Sequence, residues 1–250
     1  MKNSKNKWSL FFRTGIFLIF IIAGSLSGQG FTISPTEALI TTEFGASDTL
    51  KINLTSLPTS DVRIPVSVSD TTEGSVSVSE VIFTSSNWET VQSIVVKGKN
   101  DDEEDGDVYY TLTLSAAVSD DGSYNGLNPA DVSATNYDDD RVAVEIYPTG
   151  GIIVSERGEN AVISVRLDSK PKADVFVGLT SSDLSEGAVF PSSLTFNTEN
   201  WSDYQSVMVE GVSDGIADSD EIFSVIFFQV ASEDLDYSGF NPPDVSVTNM

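Results

Sequence analysis

Laid over itself with a shift of 113 residues, the chain matches without a gap: Asp61 falls on Asp174, Trp88 on Trp201, Tyr124 on Tyr237 and Asn136 on Asn249. The stretch SDTTEGSVSVSEVIFTSSNWETVQSIVVKG lies over SDLSEGAVFPSSLTFNTENWSDYQSVMVEG, and YNGLNPADVSATN over YSGFNPPDVSVTN. Such register over a whole unit is duplication, and it divides the 250 residues into two copies, each long enough to bury a core of its own.

Within each copy the apolar residues alternate or form short β-branched runs, broken by clusters of Gly, Pro, Asn, Asp and Ser. No helical periodicity stands out. In the first copy the expected strands are Ile40 to Thr42 (preceded by Phe31 to Ser34), Leu50 to Leu54, Val62 to Val68, Val81 to Phe83, Val91 to Val96, Tyr109 to Leu114 and Asp131 to Thr135. In the second they are Ile152 to Ser155, Val162 to Leu167, Val175 to Leu179, Leu194 to Phe196, Ser206 to Val209, Phe223 to Phe228 and Val245 to Thr248. The expected fold is all-β: two tandem seven-stranded immunoglobulin-like β-sandwiches, over residues 28–140 and 141–250, behind an N-terminal signal peptide at 1–27. Lys2, Lys5, Lys7 and Arg13 form the basic start of that signal, Ile16 to Ala23 its apolar core, and Ser25 and Ser27 the small residues before a cut at Gly28. A retained anchor is the alternative, although the uncharged stretch from Thr14 to Gln29 is short and partly polar for a full span.

Composition decides which chemistry is open to such a chain. It carries 38 Asp and Glu against 13 Lys and Arg, a formal charge of −25, which repels nucleic acid and anionic lipid. With no Cys and no His it has no thiolate or imidazole for nucleophilic catalysis and no usual ligands for zinc. Oxygen donors remain, and these suit hard cations. An exported, acidic, cysteine-free chain is expected to be secreted or on the cell surface and to use metal where others use disulfides.

If seven strands run alternately up and down, the end of the first, the third-to-fourth turn, the fifth-to-sixth turn and the end of the seventh share one pole. The first copy has acids at all four: Glu43, Asp70, the run Asp101, Asp102, Glu103, Glu104, Asp105, Gly106, Asp107, and Asp138, Asp139, Asp140. An isolated acidic run is usually a solvated turn. Against that, the second copy keeps Glu156, Asp183, Asp214, Asp218 and Asp220 in register, while Gly215 stands for Asp102 and Ala217 for Glu104. Acids that only keep a surface soluble have no reason to hold one offset and one pole. Crowded carboxylates repel unless a cation lies among them, and calcium accepts six to eight oxygens in irregular geometry. Met250 falls at the position of Tyr137, so no counterpart of Asp138 to Asp140 is present in the second copy, whose binding is expected to be weaker.

Taken together, the early Glu-x-Gly (Glu43 to Gly45, Glu156 to Gly158), the acidic loop before the sixth strand and the closing Asp-Val-x-x-Thr-Asn with its Asp triplet resemble the Calx-β domain of sodium/calcium exchangers, an integrin β subunit and many bacterial surface proteins. The resemblance covers Phe31 to Asn249 and implies a seven-stranded sandwich with calcium at one end, held by Glu43, Asp70, Asp101, Asp102, Asp107 and Asp138 to Asp140. The repeat register adds Asp105. Trp88 and Trp201 each stand alone in their copy, which favours packing over a sugar platform, and the Tyr-x-Gly-x-Asn-Pro segments read as loops pinned by Tyr124 and Tyr237. The expected role is a non-catalytic, calcium-stiffened spacer or adhesion module whose partners are calcium ions and an extracellular protein or polysaccharide. The alternatives are a polysaccharide- or host-protein-binding module and the stalk of a larger enzyme or adhesin.

Overall fold

A computed structural model describes residues 29–213, 215 and 219–250. The expected signal peptide lies outside the described residues, as do Asp214 and Asp218. Two separate cores are present, one drawn from residues 39–134 and one from 144–247.

The first sandwich is built from nine strand segments: β1 (Phe31–Ser34), β2 (Leu39–Thr42), β3 (Ser47–Leu54), β4 (Val62–Val68), β5 (Gly74–Val76), β6 (Glu80–Phe83), β7 (Gln92–Gly98), β8 (Val108–Leu114) and β9 (Val132–Tyr137). They form a four-stranded sheet, β1-β3-β7-β5, facing a five-stranded sheet, β2-β9-β8-β4-β6. The chain thus changes sheets between β1, antiparallel to β3, and β2, parallel to β9. The second copy repeats the plan with β10 (Val144–Tyr147), β11 (Ile152–Val154), β12 (Asn160–Leu167), β13 (Val175–Ser181), β14 (Gly187–Phe190), β15 (Ser193–Phe196), β16 (Gln205–Gly211), β17 (Glu221–Phe227), β18 (Ala231–Ser232) and β19 (Val245–Asn249). The all-β reading stands. The seven-strand count per unit merged β1 with β2 and passed over β5 and its equivalent β14, three and four residues long, whose Gly-Ser-Val and Gly-Ala-Val-Phe are too short to show a period.

Period-two patterning places the core. Along β7, Ile94 and Val96 are buried while Ser93, Val95 and Lys97 face out; along β16, Val207 and Val209 repeat this. Each such buried aliphatic contributes about 1.5–3 kcal/mol. Trp88 and Trp201 pack half-buried against their own cores.

At the pole away from the acids, the two tyrosines are almost wholly buried. The Tyr124 hydroxyl donates to the Ser56 carbonyl (2.7 Å) and lies 3.2 Å from the Ser56 amide, which donates to it, and 2.9 Å from the Ser56 hydroxyl. Tyr237 does the same to Ser169 at 2.6, 3.2 and 3.0 Å. Beside them, Asp121 accepts from the Thr59 amide and Asp234 from the Lys172 amide. Tyr237→Phe leaves the buried Ser169 carbonyl without its donor and Tyr124→Phe the part-buried Ser56 carbonyl, so each is expected to destabilise its unit, by about 1–3 kcal/mol in urea unfolding and more for Tyr237.

Candidate metal centre at the tip of the first sandwich

Because β2 runs parallel to β9, both end at the same pole, and antiparallel β8 begins there. The segments following β2 and β9 and the loop between β7 and β8 are therefore neighbours. Glu43 follows β2 and donates its amide to the Tyr137 carbonyl (3.0 Å) at the end of β9. The acidic loop 101–107 is tied to the chain end of the unit by Asp138, whose Oδ2 accepts the amides of Asp105 (3.2 Å) and Gly106 (2.7 Å). Gly106 has φ +78°, a left-handed turn that a side chain would resist, and it lets the loop fold back onto Asp138.

Two groups of carboxylates result. In one, oxygens of Glu43, Asp138 and Asp140 lie within 4.8 Å of one another; in the other, those of Glu73, Asp101 and Asp105 do. Oxygens bound to one calcium at about 2.4 Å are at most about 4.8 Å apart, so each group has the spacing of a shared ion. Glu43 is only 6 % exposed, and its Oε2 has no hydrogen-bond partner, nor does the buried Asp140 Oδ2. Two acceptor-only oxygens so placed call for a positive partner. Burial, with the fields of Asp101, Asp138, Asp140 and Glu73 added, pushes the Glu43 carboxyl up to about 7. Burial and the neighbouring Asp138 and Asp139 push Asp140 to about 6. Asp105 is raised as well, first by burial and then by Glu73, Asp101 and Asp138.

Glu73, absent from the sequence-derived set, is held by a buried network. Asn136, 1 % exposed, donates from Nδ2 to Glu73 Oε2 (3.3 Å) and to the Lys99 carbonyl (2.9 Å), and accepts at Oδ1 from the Thr41 hydroxyl (3.0 Å). The hydroxyls of Thr41 and Tyr110 are 3.1 Å apart. The Asn136 amide fits because residue 98 is glycine: a Cβ there would lie 2.3 Å from Asn136 Oδ1. The repeat did carry a signal for this ligand, since Glu73-Gly74 recurs as Glu186-Gly187 and Asn136 as Asn249.

Of the acids expected from sequence, the structure brings Glu43, Asp101, Asp105, Asp138 and Asp140 into the two groups. Asp102 and Asp139 add their charge to Asp140 from its rim. Asp70 and Asp107 fall outside both groups. Asp70 turns to its own loop, accepting from the Thr72 amide (2.8 Å) and hydroxyl, and these bonds hold it below the usual carboxylate range. Asp107 is exposed at the entry to β8.

Among the described residues the second tip gathers fewer acids. Asp183 repeats the Asp70 turn, accepting from Ser185. Glu156 accepts from the Ser213 hydroxyl at 3.4 Å, and Asp220 is exposed. Among the described residues no group of three carboxylates forms there. Asn249 still donates to Glu186 Oε2 and to the Val212 carbonyl, both at 3.1 Å. However, Thr41 and Tyr110 are replaced by Val154 and Phe223, and the buried Asn249 Oδ1 has no partner.

No family model matches the chain, and no curated protein matches it by sequence. Among solved structures it is similar to the calcium binding domain CBD12 of CALX1.1 (11 % identity, 87 % of this chain and 99 % of that one, TM-score 0.43) and to CBD12 from CALX1.2 (11 %, 88 % and 98 %, 0.41). The apo-form Calx CBD1 domain matches 44 % of this chain and 98 % of its own length at 18 % identity and TM-score 0.31. The tip carboxylates of this chain, and not these likenesses, carry the functional conclusion below.

Two outcomes follow. Between pH 5 and 7 the metal-free tip holds protons that the unfolded chain has released, so stability falls as pH rises through this window and is lowest above about pH 7.5. The Glu43 shift alone corresponds to about 3 kcal/mol; Glu43→Gln should flatten the profile of melting midpoint against pH in chelator. In the second unit, Val154→Thr supplies a donor to Asn249 Oδ1 and should raise stability by about 1 kcal/mol in urea unfolding.

Proposed function

We propose that the first unit is a calcium-binding β-sandwich of the Calx-β type, and that the chain is an exported, non-catalytic spacer or adhesion module stiffened by calcium. The observation that carries this is the pair of buried carboxylate oxygens, on Glu43 and Asp140, that lack any donor inside a ring of further acids. Calcium suits the donor set: the oxygens are carboxylates, they come from irregular loops, and neither His nor Cys is available to favour a softer metal. Glu43, Asp138 and Asp140 would hold one ion and Glu73, Asp101 and Asp105 a second. Bound there, calcium supplies charge neutralisation and a crosslink between the segments after β2 and β9 and the β7–β8 loop.

The spacer role is supported by where the proposed ligands sit. Residues 138–143 alone join β9 to β10, so ions held by Asp138 and Asp140 also fix the start of the connection to the second unit. Secretion or display at a cell surface, where calcium is abundant, fits the expected export signal. An extracellular protein or polysaccharide remains the partner class of an adhesion role, and the Trp88 and Trp201 rings, packed on their cores, argue against a sugar platform built on them.

Calcium at about a hundred times its dissociation constant adds about 2.7 kcal/mol per site, or roughly 10 °C in the midpoint of a unit this small. Differential scanning calorimetry should show that gain for the first unit, reversed by EGTA and cut to about half in Asp138→Ala with Asp140→Ala, which removes two ligands of one of the two ions. An unchanged midpoint in EGTA would contradict the calcium assignment.

A further inference from the structure

The acidic loop of the first unit has a second face. The turn between β12 and β13 of the second unit, Ser169 to Asp174, reaches it with two lysines. Lys170 Nζ meets Glu103 Oε1 at 2.9 Å, and its amide donates to the Asp102 carbonyl at 2.6 Å. Lys172 Nζ donates to the Glu104 carbonyl at 3.2 Å while paired with Asp236 of its own unit at 2.9 Å. None of these oxygens belongs to the two carboxylate groups that face the tip.

We propose that Lys170 and Lys172 form a docking finger with which the second unit grips the acidic loop of the first, holding the two sandwiches together before any metal ion is bound.

Three features support a built contact over a chance surface pair. The finger is braced from behind: Tyr237 clamps Ser169, and Asp234 holds the Lys172 amide at 2.7 Å, so little loop freedom remains to be lost on docking. The first unit has the same brace on Ser56 and Thr59, yet carries Leu57 and Thr59 where the second has Lys170 and Lys172. Conversely, Asp102, Glu103 and Glu104 are replaced by Gly215, Ile216 and Ala217 in the second copy. Each half of the pair is therefore present only in the copy that meets the other. A single exposed ion pair is weak. Here three contacts act together across a connection of six residues (138–143), which keeps the effective concentration of finger and loop high. Arg141 in that connection pairs with Asp168 at the base of the finger, and the Asp168 amide donates to the Ala143 carbonyl at 3.0 Å.

The chain lacks cysteine, so Glu89→Cys and Ser202→Cys, exposed and at equivalent positions in the two units, take a fluorophore pair without background. In EDTA at low ionic strength the full chain should give a narrow distribution of inter-unit distances by single-molecule energy transfer. Lys170→Glu with Lys172→Glu should at least double its width, as should about 1 M salt, where charges are screened beyond about 3 Å. The swap Lys170→Glu with Glu103→Lys should narrow it again relative to Lys170→Glu alone. A double-lysine variant that keeps its melting midpoint and the wild-type distribution would overturn the proposal, as would a swap without rescue. Calcium binding is measured on the same samples by calorimetry. A wild-type chain docked in EDTA that takes no calcium supports docking and contradicts the metal assignment. One that binds calcium and is undocked in EDTA overturns docking and leaves the metal assignment standing.

Discussion

Negative charge buried against negative charge is the constraint around which the first tip is built. Glu43 Oε2 and Asp140 Oδ2 are out of water, accept from no donor, and lie in the field of Asp101, Asp138 and further acids. Such an arrangement costs folding free energy unless protons or a cation enter it. The surrounding structure offers Glu43 Oε2 and Asp140 Oδ2 no donor and holds the acids together: Asn136 fixes Glu73, Asp138 draws in the loop through two amides, and Gly98 leaves room for the Asn136 side chain. These hydrogen bonds keep the carboxylates together at a spacing that one shared cation could bridge.

Among its described residues the second sandwich keeps part of that organisation. It keeps the strand plan, the Asp183 turn, and the Asn249 to Glu186 contact, so the scaffold of the tip is retained. It lacks the hydroxyl pair of Thr41 and Tyr110, having Val154 and Phe223 there, and its Asn249 amide is only partly satisfied. The pole that has changed most usefully in this unit is the opposite one, where two lysines replace Leu57 and Thr59. The two copies thus differ on one frame: the first concentrates acid at its tip and in the 101–107 loop, and the second carries lysines that contact the other face of that loop.

Much of this was legible in the sequence because the repeat doubles every signal. Most strand positions, the pole shared by Glu43, the 101–107 loop and Asp138 to Asp140, and the tyrosine-pinned loops follow from period-two patterning and a single offset. What escaped reading was set by local hydrogen bonding and by contacts between units. Asp70 looked like a ligand by position, but an Asp two residues ahead of Thr72 closes a turn on itself, and the carboxylate sent to the tip is Glu73, three residues on. Edge strands β5 and β14 are too short to announce themselves. The finger could not be seen by comparing the copies for what they share, because it lies in what they do not.

The central claim is that calcium takes the place of protons on Glu43 and Asp140. Titration calorimetry at pH 6.5, repeated in buffers of different ionisation enthalpy, counts the protons displaced. With the two carboxyls at about 7 and about 6, binding should release about one proton per first unit, falling toward none at pH 8.5. Calcium heats independent of the buffer at pH 6.5, or no binding heat at either pH, would contradict the account.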